Sequence, residues 1–210
     1  MTSVIWDLGG TLVDTYPDVD RALAGAVHGD DPGGEEELNE VAELTRVSSG
    51  HAIETLAQRH GVSPEDLRAA YERTKETWRS SPPPVVDGAR AVIARVREEG
   101  GLNLVATHRD RESATQLLHI LGVDVDDMVC APDGFARKPD PAMVLELLER
   151  HGLDPEEVLA VGDRPGDVAA ARAAGVRGVL LQTPGIPLEA PGAERITAVE
   201  ELLDLLPPSA

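Results

Sequence analysis

Aromatic residues are almost missing from this chain. It has one Phe, two Tyr and two Trp in 210 residues, or 2%. With 41% apolar residues, ordinary for a globular protein, the core must be built mainly from Leu, Val and Ala. Cysteine occurs once, as Cys130, which excludes an intrachain disulfide. It sits in an apolar run and reads as a small buried residue. No run of about 18 apolar residues exists, so no membrane helix is expected. The start has neither a charged segment nor a long apolar one, so a signal peptide is not expected and a cytoplasmic location is. Bases are scarce too: 19 against 38 acids, a formal charge of −19. Such a field keeps a protein soluble and repels DNA, RNA and anionic membranes, so none of these is an expected partner. It also repels anionic substrates, so any phosphate site must be locally positive, through a metal and a few cations.

What is present reads as two kinds of segment. Residues 3–6 form a short apolar strand ending at Asp7, followed by the glycine-rich turn Leu8-Gly9-Gly10-Thr11. From about 17 to 81 every pattern is helical. Val19, Ala22, Leu23, Ala26 and Val27 make one apolar face. Leu38, Val41 and Ala42 suggest a second helix, and Ile53, Leu56 and Ala57 a third. Ser63-Pro64-Glu65-Asp66 starts a fourth, with Ser63 as N-cap. The run Ser80-Ser81-Pro82-Pro83-Pro84 cannot continue a helix.

Beyond it strands alternate with helices. Strands are predicted at Leu102–Ala106, Met128–Ala131, Val158–Val161 and Val176–Gln182. Helices are predicted from Asp110 to Gly122, from Asp140 to His151, over 166–174, and from Thr197 with Glu200 to the end. Apolar strands without alternation, each followed by a helix, predict a doubly wound, Rossmann-like parallel sheet. The predicted α/β core is 1–15 with 82–210, and the inserted α-helical bundle is 16–81.

In such a sheet ligands bind beyond the carboxyl ends of the strands. Asp7, Thr107, Lys138, Asp163 and Asp167 all fall there. Three carboxylates repel unless a cation lies among them. Magnesium prefers oxygen ligands, so Asp7 and Asp163 are candidates to hold it, with Asp167 behind. A carboxylate can attack phosphorus. Lys138, one of only two lysines, would neutralise Asp7 and a phosphate oxygen. Thr107 and backbone N–H groups would bind the other oxygens.

Asp7-Leu8-Gly9-Gly10-Thr11-Leu12-Val13-Asp14, Thr107, Lys138-Pro139-Asp140-Pro141 and Gly162-Asp163-Arg164-Pro165-Gly166-Asp167 resemble, in order and spacing, the four signatures of the haloacid dehalogenase-like hydrolases. The resemblance implies a phosphoglycolate phosphatase-like member with a mobile helical cap. It implies a Mg2+-dependent phosphatase acting on a small phosphorylated metabolite through an aspartyl-phosphate, as a monomer or homodimer. By resemblance Asp7 is the nucleophile, and the metal is held by Asp7, the Gly9 carbonyl and Asp163, with Asp167 orienting the metal shell or Lys138. Gly10, Thr11, Thr107, His108, Arg109 and Lys138 are candidates for substrate contact.

One position departs from the pattern. The family's second aspartate, which protonates the leaving group and activates water, is Gly9 here. His108 is the candidate replacement, because it follows Thr107 and its side chain is suited to proton transfer; His51 is a second. The departure keeps two other readings open. One is phosphonate C–P cleavage, which in the family uses a cap lysine, for which only Lys75 is available. The other is a catalytically degenerate protein that binds a phosphorylated ligand or a protein.

Overall fold

The computed structural model describes residues 2–29 and 34–206. The chain divides into two units, Met1–Val13 with Pro84–Ala210, and Asp14–Pro83.

The first unit is built on a six-stranded sheet. Strand β1 (Ser3–Trp6) leads, followed after the helical insertion by α5 (Ala89–Glu98), β2 (Asn103–Thr107), α6 (Arg111–Leu121), β3 (Asp127–Cys130), α7 (Ala142–His151), β4 (Val158–Gly162), α8 (Pro165–Ala173), β5 (Arg177–Leu181) and β6 (Glu194–Ile196). The strand order is β3-β2-β1-β4-β5-β6, and every pairing is parallel. The chain winds outward from β1 through β2 to β3, then returns to β4 on the other side of β1. The order therefore reverses between β1 and β4, where a parallel sheet opens a crevice.

Both faces of the sheet are covered, which explains the unbroken apolar strands. Ile5, Leu104, Ala106, Val129, Val158 and Ala160 pack with Met143, Val144, Leu147, Ala170 and Ala171 of α7 and α8. Neighbouring strand residues point the other way. Among them Trp6 is fully buried, and its indole N–H donates to Asn103 Oδ1 at 3.1 Å. Asn103 in turn donates to the Ile93 carbonyl of α5 at 3.2 Å. Cys130 is buried, which pushes its thiol up to about 11.

Several boundaries differ from those the sequence predicts. Helix α7 begins at Ala142 rather than Asp140; Pro141 is its N-cap residue, with no side-chain cap, and Asp140 Oδ1 accepts the Ala142 N–H at 2.9 Å in the turn before it. The last helix is a 3-10 segment, Val199–Asp204, and its anchor is Glu201 rather than Glu200. Glu201 Oε1 accepts from the backbone N–H groups of Thr197 and Ala198 and from the Thr197 hydroxyl, each at 2.8 Å. Strand β6 has no counterpart in the sequence reading. It is three residues long and only Ile196 is buried, too little for a periodic signal.

The second unit holds α1 (Tyr16–His28), α2 (Glu35–Val47), α3 (Ser49–His60) and α4 (Pro64–Thr77). Val19, Leu23, Val41, Ile53, Leu56 and Leu67 fill its interior. Ser63 caps α4, its hydroxyl accepting from the Glu65 and Asp66 N–H groups. The unit also buries an ion pair. Arg46 Nη1 lies 2.6 Å from Asp20 Oδ2, the Thr45 hydroxyl donates to Asp20 Oδ1 at 2.7 Å, and the guanidinium stacks 3.5 Å from the Tyr16 ring centroid. Among the described residues no helix is long and apolar enough to cross a membrane.

Candidate active site

The site lies at the carboxyl edge of β1, β2 and β4 in the first unit. Asp7 leaves β1 with its N–H donated to the Val161 carbonyl of β4 at 2.9 Å, which places it at the reversal of strand order. Asp163 follows β4 directly, and Asp167 sits one helical turn later in α8, where its Oδ2 accepts the Arg164 N–H at 3.0 Å. Gly162 makes that turn possible. A Cβ there would lie 2.3–2.5 Å from the Asp167 side chain. Gly10, with φ of 89°, turns the loop after Asp7.

Lys138 ties these acids together. Its Nζ is 2.5 Å from Asp7 Oδ1 and 2.5 Å from Asp167 Oδ1, and it donates to the Ala106 carbonyl at 2.9 Å. Burial alone would lower the lysine's pKa, but the charges of Asp167 and Asp7 raise it well above its ordinary value. Asp7 moves the other way: burial foremost, partly opposed by Lys138 and reinforced by Asp167 and Asp163, pushes it up to about 7.

Asp7, Asp163 and Asp167 each bring an oxygen within 4.8 Å of the others. Lys138 bridges Asp7 and Asp167 and Arg164 Nε lies 4.0 Å from Asp163 Oδ2, so three acids face two cations and the cluster is still short of positive charge. A hard divalent cation fits this all-oxygen donor set. Asp163 is 1% exposed and is held by the Thr11 hydroxyl, which donates to its Oδ1 at 2.8 Å.

The remaining predicted residues divide. Thr107 ends β2, and its Oγ1 accepts the Arg109 N–H at 3.2 Å while the hydroxyl keeps its own proton to donate. Arg109 is half-buried, and its Nη1 donates to Ser113 Oγ at 2.9 Å. Thr11 is fully buried, and its hydroxyl supports Asp163. The Gly10 N–H is bonded to the Val13 carbonyl at 2.8 Å.

His108 is the predicted acid or base. Its Nε2 accepts the Lys138 N–H at 2.9 Å. Burial, reinforced by Lys138 and Arg137, lowers its pKa to about 4. The ring is therefore neutral near pH 7, with that lone pair engaged. His51 is exposed in the second unit, with its N–H bonded to the Ser48 hydroxyl. Sequence reasoning missed Thr11 as a support for Asp163 and the Ala106 carbonyl as a lysine acceptor. The first had a signal, a hydroxyl four residues after the nucleophile; a backbone carbonyl has none.

A carboxylate at the strand reversal, a lysine bridging two acids and a cluster ready for a divalent cation define a hydrolase of the phosphoryl-transfer kind. Residues 1–175 match the haloacid dehalogenase-like hydrolases, and the chain belongs to that family. It is 31% identical over 213 residues to phosphoglycolate phosphatase 1 of Pseudomonas aeruginosa, covering 97% of this chain and 78% of that protein. It is 30% identical over 188 residues to the N-acetylmuramic acid 6-phosphate phosphatase of the same organism, covering 84% and 80%. The crystal structure of a hydrolase from Pseudomonas syringae superposes with a TM-score of 0.73 at 26% identity, covering 97% of each chain.

Proposed function

We propose that this protein is a magnesium-dependent phosphatase that hydrolyses a small phosphorylated metabolite through an aspartyl-phosphate on Asp7. The observation that carries the reading is the hold on Asp7. One oxygen is 2.5 Å from Lys138 Nζ, and no hydrogen bond within the described residues engages the other. The lysine orients the nucleophile and leaves an oxygen to attack.

Asp7, the Gly9 carbonyl and Asp163 would hold the metal, with Asp167 steadying the shell through Lys138. When bound, the metal supplies positive charge to the phosphoryl oxygens and to Asp7, whose pKa is raised without it. Thr107, His108, Arg109 and Lys138 are the substrate contacts, with Thr107 and Lys138 donating to the transferred phosphoryl group. Asp7 attacks phosphorus as the bond to the leaving oxygen breaks. Water then attacks the aspartyl-phosphate, frees phosphate and restores the carboxylate. Gly9 has no side chain to protonate the leaving oxygen, so solvent supplies that proton. The best substrates are those whose leaving group departs as a weakly basic anion, such as acyl phosphates and phosphoanhydrides.

Phosphonate cleavage has less support. Lys75, the lysine it would need, is paired with Glu72 at 2.8 Å and stacked on Tyr71. The deciding experiment is phosphate release from a panel of phosphate esters, acyl phosphates and phosphoanhydrides with magnesium, comparing wild type with Asp7→Asn. Turnover that vanishes in Asp7→Asn supports the proposal. No release by wild type from any compound overturns it.

A further inference from the structure

We propose that His108 is a positioning residue: its imidazole Nε2 fastens the backbone of Lys138 to the turn after β2. The effect on turnover rests on the phosphatase reading; the fastening itself does not.

Within the loop between β3 and α7 some N–H groups are satisfied by the loop itself. Phe135 donates to the Ala131 carbonyl at 3.1 Å and Asp140 to the Arg137 carbonyl at 3.0 Å. Lys138 is different. Its N–H reaches out of the loop to a side chain 30 residues earlier in sequence, at 2.9 Å. That side chain directly follows Thr107, so the bond joins the phosphate-binding turn to the lysine loop.

The need for such a tie follows from the lysine. A four-carbon stem with a rotatable ammonium holds a fixed position only if its backbone is fixed. Yet Nζ must meet Asp7, Asp167 and the Ala106 carbonyl together. Anchoring the main chain at its own N–H removes the largest source of play. Acceptance at Nε2 also fixes the tautomer, with the ring proton on Nδ1. That N–H is then a donor on the same turn as the Thr107 hydroxyl. His108 thus serves two loops without exchanging a proton.

The test compares His108→Leu, which fills similar space without an acceptor, with His108→Gln, whose Oε1 can take the same N–H. Hydrogen exchange is followed across residues 134–140, and kcat and KM are measured against pH with acetyl phosphate and magnesium. In His108→Leu the segment should exchange faster. Its kcat should fall about 10- to 100-fold, the size expected for a misplaced catalytic group, while KM rises as the His108 contact to substrate is lost. His108→Gln should regain protection and recover most of the kcat lost in His108→Leu. Unchanged exchange in His108→Leu, or a glutamine no better than leucine, overturns the proposal. So does loss of one limb of the pH profile in His108→Gln, which would make the imidazole an acid or base. If wild type turns nothing over, the phosphatase reading fails, while the exchange comparison still decides the fastening.

Discussion

Replacing Asp7 by asparagine should make the metal-free protein more stable while abolishing its activity. The carboxyl's pKa rises from an ordinary 3.8 to about 7 in the folded chain, through burial and the nearby Asp167 and Asp163 charges, with Lys138 opposing. Because the folded value exceeds the unfolded one, the protonated carboxyl favours folding below about pH 4. That contribution is lost as pH rises through about 7. A shift of roughly three units at 1.36 kcal/mol each sets a ceiling of about 4 kcal/mol on the strain carried by the ionised group above pH 7. The side chain is 11% exposed, so water relieves part of it, and about 2 kcal/mol is the working figure. For a domain of this size that is a rise in Tm of about 4–8 °C. The assay is thermal unfolding in EDTA at several pH values. The gain should be full at pH 8, smaller at pH 5 and gone near pH 4. Magnesium at about a hundred times its Kd should restore about 2.7 kcal/mol to wild type and less to the variant, closing or reversing the gap. An Asp7→Asn protein less stable than wild type in EDTA at pH 8, or a gap independent of pH, would refute the argument.

Three further outcomes follow from the geometry. Lys138→Met removes the bridge between Asp7 and Asp167; phosphate-release kinetics should show kcat reduced at least about 100-fold, with Lys138→Arg giving little rescue because a planar fork does not fit a three-acceptor point site. Gly9 is not held at positive φ, so Gly9→Asp is tolerated by the backbone; it should raise kcat/KM for alkyl phosphates about 10- to 100-fold and leave acetyl phosphate nearly unchanged, as a rate comparison of the two classes will show. Arg46→Met leaves Asp20 buried without its partner, and urea unfolding should report a loss of about 3–5 kcal/mol.

The parts of this protein that the sequence made legible are those where one residue type has one use. The strand ending at Asp7, the Ser63-Pro64 helix start and the acids after β4 are local signals. So is the change of rhythm after the proline run, which separates helical insertion from alternating sheet. The buried pair of Asp20 and Arg46 was invisible, because a charge inside a helix reads as surface until its partner 26 residues away is in place. His108 was read by its chemistry and turned out to be defined by its neighbour: whether an imidazole titrates depends on what its second nitrogen meets, and that partner came from another loop. Thr11 is a like case: a hydroxyl beside a nucleophile can face substrate or a neighbouring acid, and packing brings this one to Asp163.

The close approach of Gly162 to Asp167 has a consequence for how this site can vary. The carboxylate touches the strand where a methyl group would otherwise sit. Any larger residue at 162 must displace Asp167, and with it one of the two acids that grip Lys138. A mutational scan would then find position 162 as intolerant as the nucleophile, although it carries no functional group at all. The reactivity of Asp7 is inherited, through one lysine and one acid, from an empty volume the size of a single carbon.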